Sequence, residues 1–229
     1  MDSMRETKCF FITGTDTNIG KTLAACSLLQ AAIRIGYRAV GYKPVASGSK
    51  VTDKGIRNAD ALALMANSNV ELEYHQVNPF AFIEPTAPHI ASNDQSNLID
   101  LEVLSAGLRS LGVCANWIVV EGAGGWFTPL GNNVLYSDWV ISEGLSVILV
   151  VGIKLGCINH ALLTEAVIRQ SGLFLAGWIA SHPEKSNNRS QDYIKAIASR
   201  LDSPLLGVLP WINEVKQAPL ASYINLSLL

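Results

Sequence analysis

The feature that most constrains this fold is a glycine-rich stretch directly after a short apolar run near the start of the chain. The run Cys9 to Thr13 carries the β-branched and aromatic residues typical of a buried strand, GTDTNIGKT follows it, and a helix-period segment begins at Lys21. A glycine loop between a strand and a helix turns successive backbone N–H groups toward one point, where they can surround phosphate oxygens. The sequence therefore predicts a phosphate-binding loop at residues 14–22.

The side chains that end this loop suit a nucleoside triphosphate and its metal. Lys21 would add a positive charge, and the Thr22 hydroxyl would coordinate Mg²⁺. The strict pattern Gly-x₄-Gly-Lys-Ser/Thr is missed by one residue, because Thr15 stands where the first glycine belongs and Gly14 precedes it. A chance GKT in an ordinary loop is the alternative, and the order of strand, loop and helix favours the nucleotide site.

The remaining apolar and helix-period segments alternate along the chain. Further buried strands are predicted at Arg38 to Tyr42, Trp117 to Glu121, Ser146 to Val151, Ala176 to Ala180 and Leu205 to Leu209. Helices are predicted at roughly Lys21 to Ile35, Asp60 to Ala66, Leu98 to Leu111, Asn159 to Gln170 and Gln191 to Leu201. The alternation predicts an α/β fold with a doubly wound, mainly parallel sheet and helices on both faces.

Size and composition limit the organisation and the partners. With 229 residues, 49% hydrophobic and 16% charged, the chain is expected to form a single domain over residues 1–229. Glu73 to Asn97 and the tail from Asn213 do not follow the alternation, and the first is long enough to indicate a functional or docking segment. A net charge of −2 gives no general attraction for nucleic acid or an anionic membrane, so a small-molecule partner is expected.

Cysteine usage favours a reducing compartment. Cys9, Cys26, Cys114 and Cys157 are scattered, form no CxxC pair and lie among apolar or small residues, as reduced thiols do. Residues 1–8 show no apolar signal segment, and no uninterrupted apolar stretch reaches the length of a membrane span. We therefore expect a cytoplasmic protein.

A second lysine follows the second predicted strand. Lys43 lies in AVGYKPVASGS, with Ser47 close behind it. The carboxyl ends of parallel strands meet at one edge of a sheet, so Lys43 is expected near the phosphate loop, where a fixed cation would stabilise charge developing on a transferred phosphoryl group. A solvated surface lysine is the alternative.

Two carboxylates are candidates for a metal site. Glu121 ends the apolar run WIVVE and precedes GAGGWFTPLG, and Asp60 opens a predicted helix. With Thr22 they would offer the hard oxygen ligands that Mg²⁺ prefers. The spacing leaves two alternatives open. Asp60 is then only an N-cap or a first-turn carboxylate facing the helix dipole, and Gly122, Gly124 and Gly125 form only a tight turn.

The fourth strand leads into a predicted helix at VVGIKLGCINH. Exposed N–H groups near Ile158 and Asn159 would suit a carboxylate, although Asn159 equally fits the role of an N-cap. The histidines lack metal-ligand spacing, predict no zinc site and are expected to be structural or surface residues: His75, His89, His160 and His182.

Motifs from the first predicted strand to the last residues match one enzyme family in order and spacing. They are GTDTNIGKT, GYKPVASGS, NADALAL, NPFAF, EPTAPH, VEGAGGW, VILVVGIKLGCINHALLT, LAGWIA, PLLG, LPW and YINLSLL. On these motifs the chain resembles the dethiobiotin synthetases, whose fold is of the P-loop NTPase type. The early glycine of the phosphate loop is a feature of that family, so the irregular spacing becomes a point of agreement.

The resemblance implies the penultimate step of biotin synthesis. 7,8-Diaminopelargonate, CO₂ and MgATP would give dethiobiotin, ADP and phosphate by way of a carbamate and a phosphorylated carbamate. The family is a homodimer with substrate sites at the subunit interface.

The resemblance also implies roles for individual residues. The catalytic residues would be Lys43 and Lys21, and the metal ligands would be Thr22, Asp60 and Glu121. The nucleotide would contact Thr17, Asn18, Ile19, Gly20, Lys21, Thr22, Leu23, Ser181 and Pro210. The diamine would contact Thr17, Lys43, Ser47, Gly124, Asn159 and, reaching across from the partner subunit, Tyr193.

Two positions depart from the family pattern. Ser181 in WIASHP stands where the family has an Asn that bonds adenine, and Asn18 replaces an acidic residue common inside the loop. Two other classes share the phosphate loop: partitioning-type switch ATPases, often tethered to membranes by a basic C-terminal helix, and small-molecule kinases. The tail ASYINLSLL has no Lys or Arg, which argues against tethering.

Overall fold

The computed structural model describes residues 7–131, 133–185, 188–212 and 219–229. Its strands are β1 (Lys8–Gly14), β2 (Ala39–Tyr42), β3 (Val45–Ala46), β4 (Lys50–Thr52), β5 (Gly55–Arg57), β6 (Phe80–Ala81), β7 (Trp117–Glu121), β8 (Pro129–Gly131), β9 (Val134–Leu135), β10 (Ser146–Gly152), β11 (Leu175–Ser181) and β12 (Leu205–Leu209). Its helices are α1 (Lys21–Arg34), α2 (Ala59–Ala66), α3 (Tyr74–Val77), α4 (Pro88–Asp94), α5 (Leu101–Cys114), α6 (Tyr136–Ser142), α7 (Cys157–Gln170) and α8 (Ser190–Ala198). Short 3₁₀ turns follow at Ala221–Tyr223 and Leu226–Leu228.

The long strands form one six-stranded sheet in the order β12-β11-β10-β1-β7-β2. Every neighbouring pair in this sheet is parallel. These are the six strands predicted from the sequence, and the predicted doubly wound α/β fold is confirmed. The order places β1 between β10 and β7, so the loop after β1 lies at the middle of the sheet edge where all six strands end.

The side-chain alternation of β1 divides the core between the two faces of the sheet. Phe10 and Ile12 pack with α1, α2 and the C-terminal turns, whereas Phe11 between them packs with α5, α6, α7 and α8 on the other face. Successive side chains of a strand point to opposite faces, so a strand covered on both sides is apolar along most of its length. The sequence runs that form these strands therefore do not alternate between apolar and polar residues.

The segment between Glu73 and Asn97 is folded rather than irregular. It contains α3, the two-residue strand β6 and α4. Strand β6 pairs with β3, directly after Lys43, with Val45 opposite Phe80. A helix or strand of two to seven residues is too short to show a clear hydrophobic period in the sequence. This explains why α3, β6, α4 and α6 were not predicted.

The described part of the tail packs against the first helix and against β12. The Leu220 N–H donates to Gln30 Oε1 at 2.7 Å, and the Asn225 N–H donates to the Leu206 carbonyl at 2.8 Å. The start of the predicted tail, at Asn213, lies outside the described residues. Within the described part of the chain, no helix combines the length and the apolar character of a membrane span.

Candidate active site

The loops that follow β1, β2 and β7 enclose a cavity of about 320 Å³ at the carboxyl edge of the sheet. Its lining residues are Thr17, Asn18, Gly20, Lys21, Thr22, Lys43, Ala46, Ser47, Asp60, Glu121, Ala123 and Gly124. Most of the residues predicted for the site from sequence therefore lie around one space. Ala46 and Ala123 were not predicted, because an alanine carries no chemical signal in a sequence.

The phosphate loop reaches α1 through two residues with left-handed backbone. Asn18 has φ 57° and Gly20 has φ 94°, and Gly20 is the N-cap of α1, whose first turn contains no acidic residue. A helix start without acidic side chains keeps its partial positive charge available to an anion. The side chains of Ile19 and Leu23 are buried in the core, so any contact of theirs with a nucleotide would come from the backbone.

Replacing Gly20 with Ala is expected to weaken MgATP binding and to destabilise the fold. A Cβ at this position would collide with the Ser181 hydroxyl, and its φ would cost about 1–2 kcal/mol in an L-residue. Gly36→Ala is the matched control, because Gly36 has φ 89° but nothing lies within 4 Å of its added Cβ. Calorimetric titration should show weaker ATP binding for Gly20→Ala and not for Gly36→Ala. Thermal unfolding measures the stability of both variants. Equal ATP affinity in the two variants would contradict a role in ATP binding for the close contact between Gly20 and the Ser181 hydroxyl.

Lys21 is held inside the loop that it ends. Its Nζ donates to the Asp16 carbonyl at 2.8 Å, and only 7% of the residue is exposed. Burial and the positive charge of Lys43 lower the pKa of Lys21 to about 8. On the outer side of the loop, Lys154 Nζ contacts Asp16 Oδ2 at 2.7 Å, which ties the loop to the end of β10.

Lys43 is a buried cation between two carboxylates, not a surface lysine. Its Nζ lies 2.7 Å from Glu121 Oε1, 3.2 Å from Asp60 Oδ2 and 3.0 Å from the Gly122 carbonyl, and the residue is 3% exposed. Burial opposes the charge on this amine, but Glu121 and Asp60 outweigh burial and raise the pKa of Lys43. Lys43 therefore stays protonated, with its charge directed at the cavity.

Glu121 joins the second lysine to the phosphate loop. Its Oε1 accepts hydrogen bonds from Lys43 Nζ at 2.7 Å and from the Thr22 hydroxyl at 2.8 Å. Its Oε2 is buried without a hydrogen-bond partner among the described residues. Burial raises the pKa of Glu121, and the Lys43 charge and the Thr22 hydroxyl oppose that rise. A buried carboxylate oxygen without a partner is costly unless a ligand satisfies it.

Asp60 is a first-turn carboxylate and not the cap of its helix. Asn58 caps α2, because its Oδ1 accepts from the Asp60 N–H at 2.9 Å. The Asp60 side chain is 42% exposed, and the charge of Lys43 lowers its pKa. For Asp60 the N-cap alternative is therefore wrong and the first-turn position is confirmed, and its carboxylate lines the cavity together with Glu121.

Asn78, in the segment between Glu73 and Asn97, holds Lys43 in position. Its Nδ2 donates to the Lys43 carbonyl at 2.6 Å, and the Lys43 N–H donates to the Val77 carbonyl at 2.9 Å. Asn78 is 3% exposed. The segment thus fixes the backbone from which the Lys43 side chain extends, a role that no sequence pattern indicated.

The glycine after β7 is required by the turn itself. Gly124 has φ 62°, and a Cβ there would collide with the Thr128 hydroxyl, which accepts from the Gly125 N–H at 2.9 Å. The backbone of Gly124 therefore forms part of the cavity wall without a side chain.

Besides Ile19 and Leu23, four predicted residues do not line this cavity. Ser181 packs its hydroxyl against Gly20, and Pro210 lines a second cavity beside the ends of β11 and β12. Asn159 is exposed in the first turn of α7, whose N-cap is Gly156, so Asn159 is not the N-cap. Tyr193 lies on α8 and packs partly buried against the core.

This chain is similar over nearly its whole length to curated proteins that are named as dethiobiotin synthetases. It is 62% identical over 221 residues to "ATP-dependent dethiobiotin synthetase BioD" of Baumannia cicadellinicola subsp. Homalodisca coagulata, covering 96% of this chain and 98% of the relative. The chain is also 54% identical over 223 residues to "ATP-dependent dethiobiotin synthetase BioD 1" of Escherichia coli (strain K12), covering 97% of this chain and 99% of that relative. The chain belongs to the ATP-dependent dethiobiotin synthetase family. A family model described as an AAA domain also matches residues 8–219.

Solved structures show the same fold at low sequence identity. The MinC:MinD cell division protein complex of Aquifex aeolicus gives a TM-score of 0.56 at 13% identity, over 90% of this chain and 82% of that one. A ParA family ATPase from Chlorobium tepidum TLS gives a TM-score of 0.56 at 13% identity, over 95% of this chain and 90% of that one. These matches confirm the P-loop NTPase type of fold, and family membership confirms the enzyme class predicted from the motifs.

Proposed function

We propose that the cavity closes the cyclic urea of dethiobiotin from 7,8-diaminopelargonate, CO₂ and ATP. The observation that carries this proposal is the contact of Lys43 with Glu121, which in turn accepts from Thr22 at the end of the phosphate loop. The contact brings a second cation to the place where the last phosphate of a bound nucleotide would lie. One six-stranded sheet spans strands from β1 to β12 of the described residues, which supports the proposed single domain.

The chemistry needs positioning and charge more than covalent catalysis. One amine attacks CO₂ and loses a proton to give a carbamate, whose oxygen attacks the γ-phosphorus and displaces ADP. The second amine then attacks the carbonyl carbon and loses a proton as phosphate leaves, which closes the ring. Lys21 and Lys43 face the anionic species formed in each step, and fixed charges in a water-poor site stabilise such species.

Mg²⁺ fits the oxygen atoms at this site. Thr22, Asp60 and Glu121 offer a hydroxyl and two carboxylates, and Glu121 Oε2 lacks a partner. We propose these three as its ligands, directly or through water. When bound, the ion would neutralise charge on the β- and γ-phosphates.

The diamine is proposed to lie along Thr17, Ser47 and Gly124, with its carboxylate at the α7 start of a partner copy near Asn159. Thr17, Ser47 and Gly124 line the cavity, and Asn159 is exposed outside it, which suits a homodimer with shared sites. A cytoplasmic location is proposed with this assignment, since all four cysteines are free.

Tyr193→Phe is expected to raise the Michaelis constant for the diamine several-fold and to leave ATP affinity unchanged, because one hydroxyl contact is lost. Steady-state kinetics and ATP titration measure the two effects. Tyr37→Phe is the control, since Tyr37 packs against Trp117 away from the cavity. An unchanged Michaelis constant for the diamine in Tyr193→Phe would show that Tyr193 does not contact the diamine.

The reaction itself is tested with ATP, Mg²⁺, bicarbonate and the diamine. Mass spectrometry should find a product heavier than the diamine by one carbonyl and lighter by two hydrogens, with one free phosphate per product. A phosphorylated product would indicate a kinase instead. ATP turnover indifferent to the diamine would refute the cyclisation.

A further inference from the structure

Helix α3 places Tyr74 beside Asn78, the residue that holds the Lys43 backbone. The helix is a single turn, closed by reciprocal hydrogen bonds between Glu73 and Gln76, and the Asn78 N–H donates to the Tyr74 carbonyl at 2.9 Å. Side chains four residues apart lie on the same face of a helical turn. The Tyr74 hydroxyl therefore reaches the Asn78 side chain, with 2.7 Å between Tyr74 Oη and Asn78 Oδ1.

The hydrogen bonds of Asn78 fix the direction of the Tyr74 hydroxyl. Asn78 Nδ2 donates to the Lys43 carbonyl at 2.6 Å and to the Phe80 carbonyl at 3.2 Å. Carbonyl oxygens only accept, so the amide nitrogen must face them and Oδ1 must face Tyr74. Because Oδ1 also only accepts, the Tyr74 hydroxyl donates its one hydrogen to it. Burial raises the pKa of this hydroxyl, which keeps it protonated.

The same hydroxyl accepts a hydrogen bond from the residue that caps α2. The Asn58 N–H donates to Tyr74 Oη at 2.7 Å, and Asn58 is the N-cap of α2. Asn58 Oδ1 accepts from the Asp60 N–H at 2.9 Å, and Asp60 Oδ2 lies 3.2 Å from Lys43 Nζ. Asn58 Nδ2 also donates to the Ser47 carbonyl at 3.2 Å. One oxygen atom thus connects the support of the Lys43 backbone with the helix start that carries Asp60.

The surroundings of Tyr74 make both of these hydrogen bonds costly to lose. Asn58 and Asn78 are 4% and 3% exposed, so water cannot readily replace a missing partner. The Arg57 guanidinium carbon lies 4.2 Å from the centre of the Tyr74 ring, a cation–π contact that restrains the ring. Tyr74 does not line the cavity, so any effect of its hydroxyl on the reaction must pass through these neighbours.

We propose that Tyr74 is a positioning residue for the reaction, whose hydroxyl sets the place of the Lys43 ammonium relative to Asp60. It acts through Asn78, which holds the Lys43 backbone, and through Asn58, which holds the start of α2. This inference rests on the proposed function, in which the Lys43 charge stabilises the transferred phosphoryl group. A fixed charge acts fully only at the right place, and an error of about 1 Å in placing a reacting or stabilising group can cost about 100-fold in rate.

Tyr74→Phe removes this oxygen and keeps the ring and its contact with Arg57. Tyr42→Phe is the matched control, because it also removes one hydroxyl hydrogen bond, to the Leu104 carbonyl at 3.0 Å, from the residue directly before Lys43. Each substitution is made in the wild-type protein and in the Lys43→Gln variant. Product formation gives kcat, calorimetry gives the dissociation constant of MgATP, and thermal unfolding measures the stability of each variant.

Tyr74→Phe should lower kcat about 10- to 100-fold in the wild-type protein and leave the dissociation constant of MgATP unchanged, since no bond to the phosphate loop is lost. In Lys43→Gln the same substitution should lower kcat by less than about twofold, because the charge that Tyr74 positions is already absent. Tyr42→Phe should lower the unfolding temperature and change kcat of the wild-type protein by less than about twofold. An equal loss of kcat from Tyr74→Phe in both proteins would overturn the proposal and leave Tyr74 with a structural role.

A second measurement needs neither substrate nor turnover. Lys43 is buried and hydrogen-bonded, so its ammonium group should give a signal in proton–nitrogen NMR spectra, which Lys43→Gln identifies by its loss. Tyr74→Phe should move this signal, because the distances from the amine to Asp60 and Glu121 change, and Tyr42→Phe should leave it in place. An unmoved signal in a folded Tyr74→Phe variant would overturn the proposal. A wild-type protein that forms no cyclic urea would refute the proposed function, whereas these spectra would still test the link between Tyr74 and Lys43.

Discussion

Replacing Lys43 with Gln is expected to lower kcat for ring closure by about 100- to 1000-fold while MgATP still binds. The amine is the cation at the reacting end of the cavity, and its charge acts on the anion that develops as the phosphoryl group moves. Nucleotide affinity comes mainly from the phosphate loop, which the substitution does not touch. Coupled measurement of ADP release gives kcat, and calorimetry gives the dissociation constant of MgATP.

The control for this substitution is Lys195→Gln, because Lys195 is exposed on α8 and lies outside the cavity. It should leave both quantities unchanged. Lys43→Gln also leaves the Glu121 carboxylate buried without its cation, so thermal unfolding must accompany the kinetics. Full turnover in a folded Lys43→Gln variant would refute the catalytic role. Loss of ATP binding together with turnover would instead make Lys43 part of the nucleotide site.

The strands and loops that form the site could be predicted from the sequence, because the patterns that indicate a strand or a loop lie within short segments. A run such as WIVVE can only be covered on both faces, and parallel strands end at one edge, so Lys43, Glu121 and the phosphate loop had to meet. The family motifs added the reaction, which no periodicity could supply. The metal and substrate roles of individual residues stay predictions until ligands are bound.

The features that sequence reasoning missed depend on contacts between distant segments. Asn78 supports Lys43 from a segment that has no strong period, and Asn58 rather than Asp60 caps α2. His182 was expected to be structural or on the surface, since a lone histidine carries no spacing signal. In the structure its ring is buried, with Nδ1 2.9 Å from the Leu209 carbonyl oxygen of the neighbouring strand.

Glu121→Gln is expected to lower kcat/KM by at least about 100-fold and to raise the Mg²⁺ concentration needed for half-maximal activity more than tenfold. The amide can still accept from Lys43 and Thr22 through its one oxygen, but it places an NH₂ donor where Oε2 now has no partner. A donor cannot ligate a cation, and the negative charge is lost. Mg²⁺ titrations of initial rate measure the shift. Glu165→Gln is the matched control, since Glu165 is buried at 7% exposure and accepts from the Asp202 N–H at 3.3 Å, outside the cavity.

The double variant Lys43→Gln with Glu121→Gln separates chemistry from folding. Removing one member of a buried ion pair costs about 3–5 kcal/mol, because the other charge is left uncompensated. Removing both leaves no unpaired charge on the two side chains, so the double variant should be more stable to thermal unfolding than Lys43→Gln alone. Its turnover should stay as low as that of the worse single variant, because neither charge is present to act on the phosphoryl group or the metal. Recovery of turnover along with stability would mean that the pair serves the fold and not the reaction.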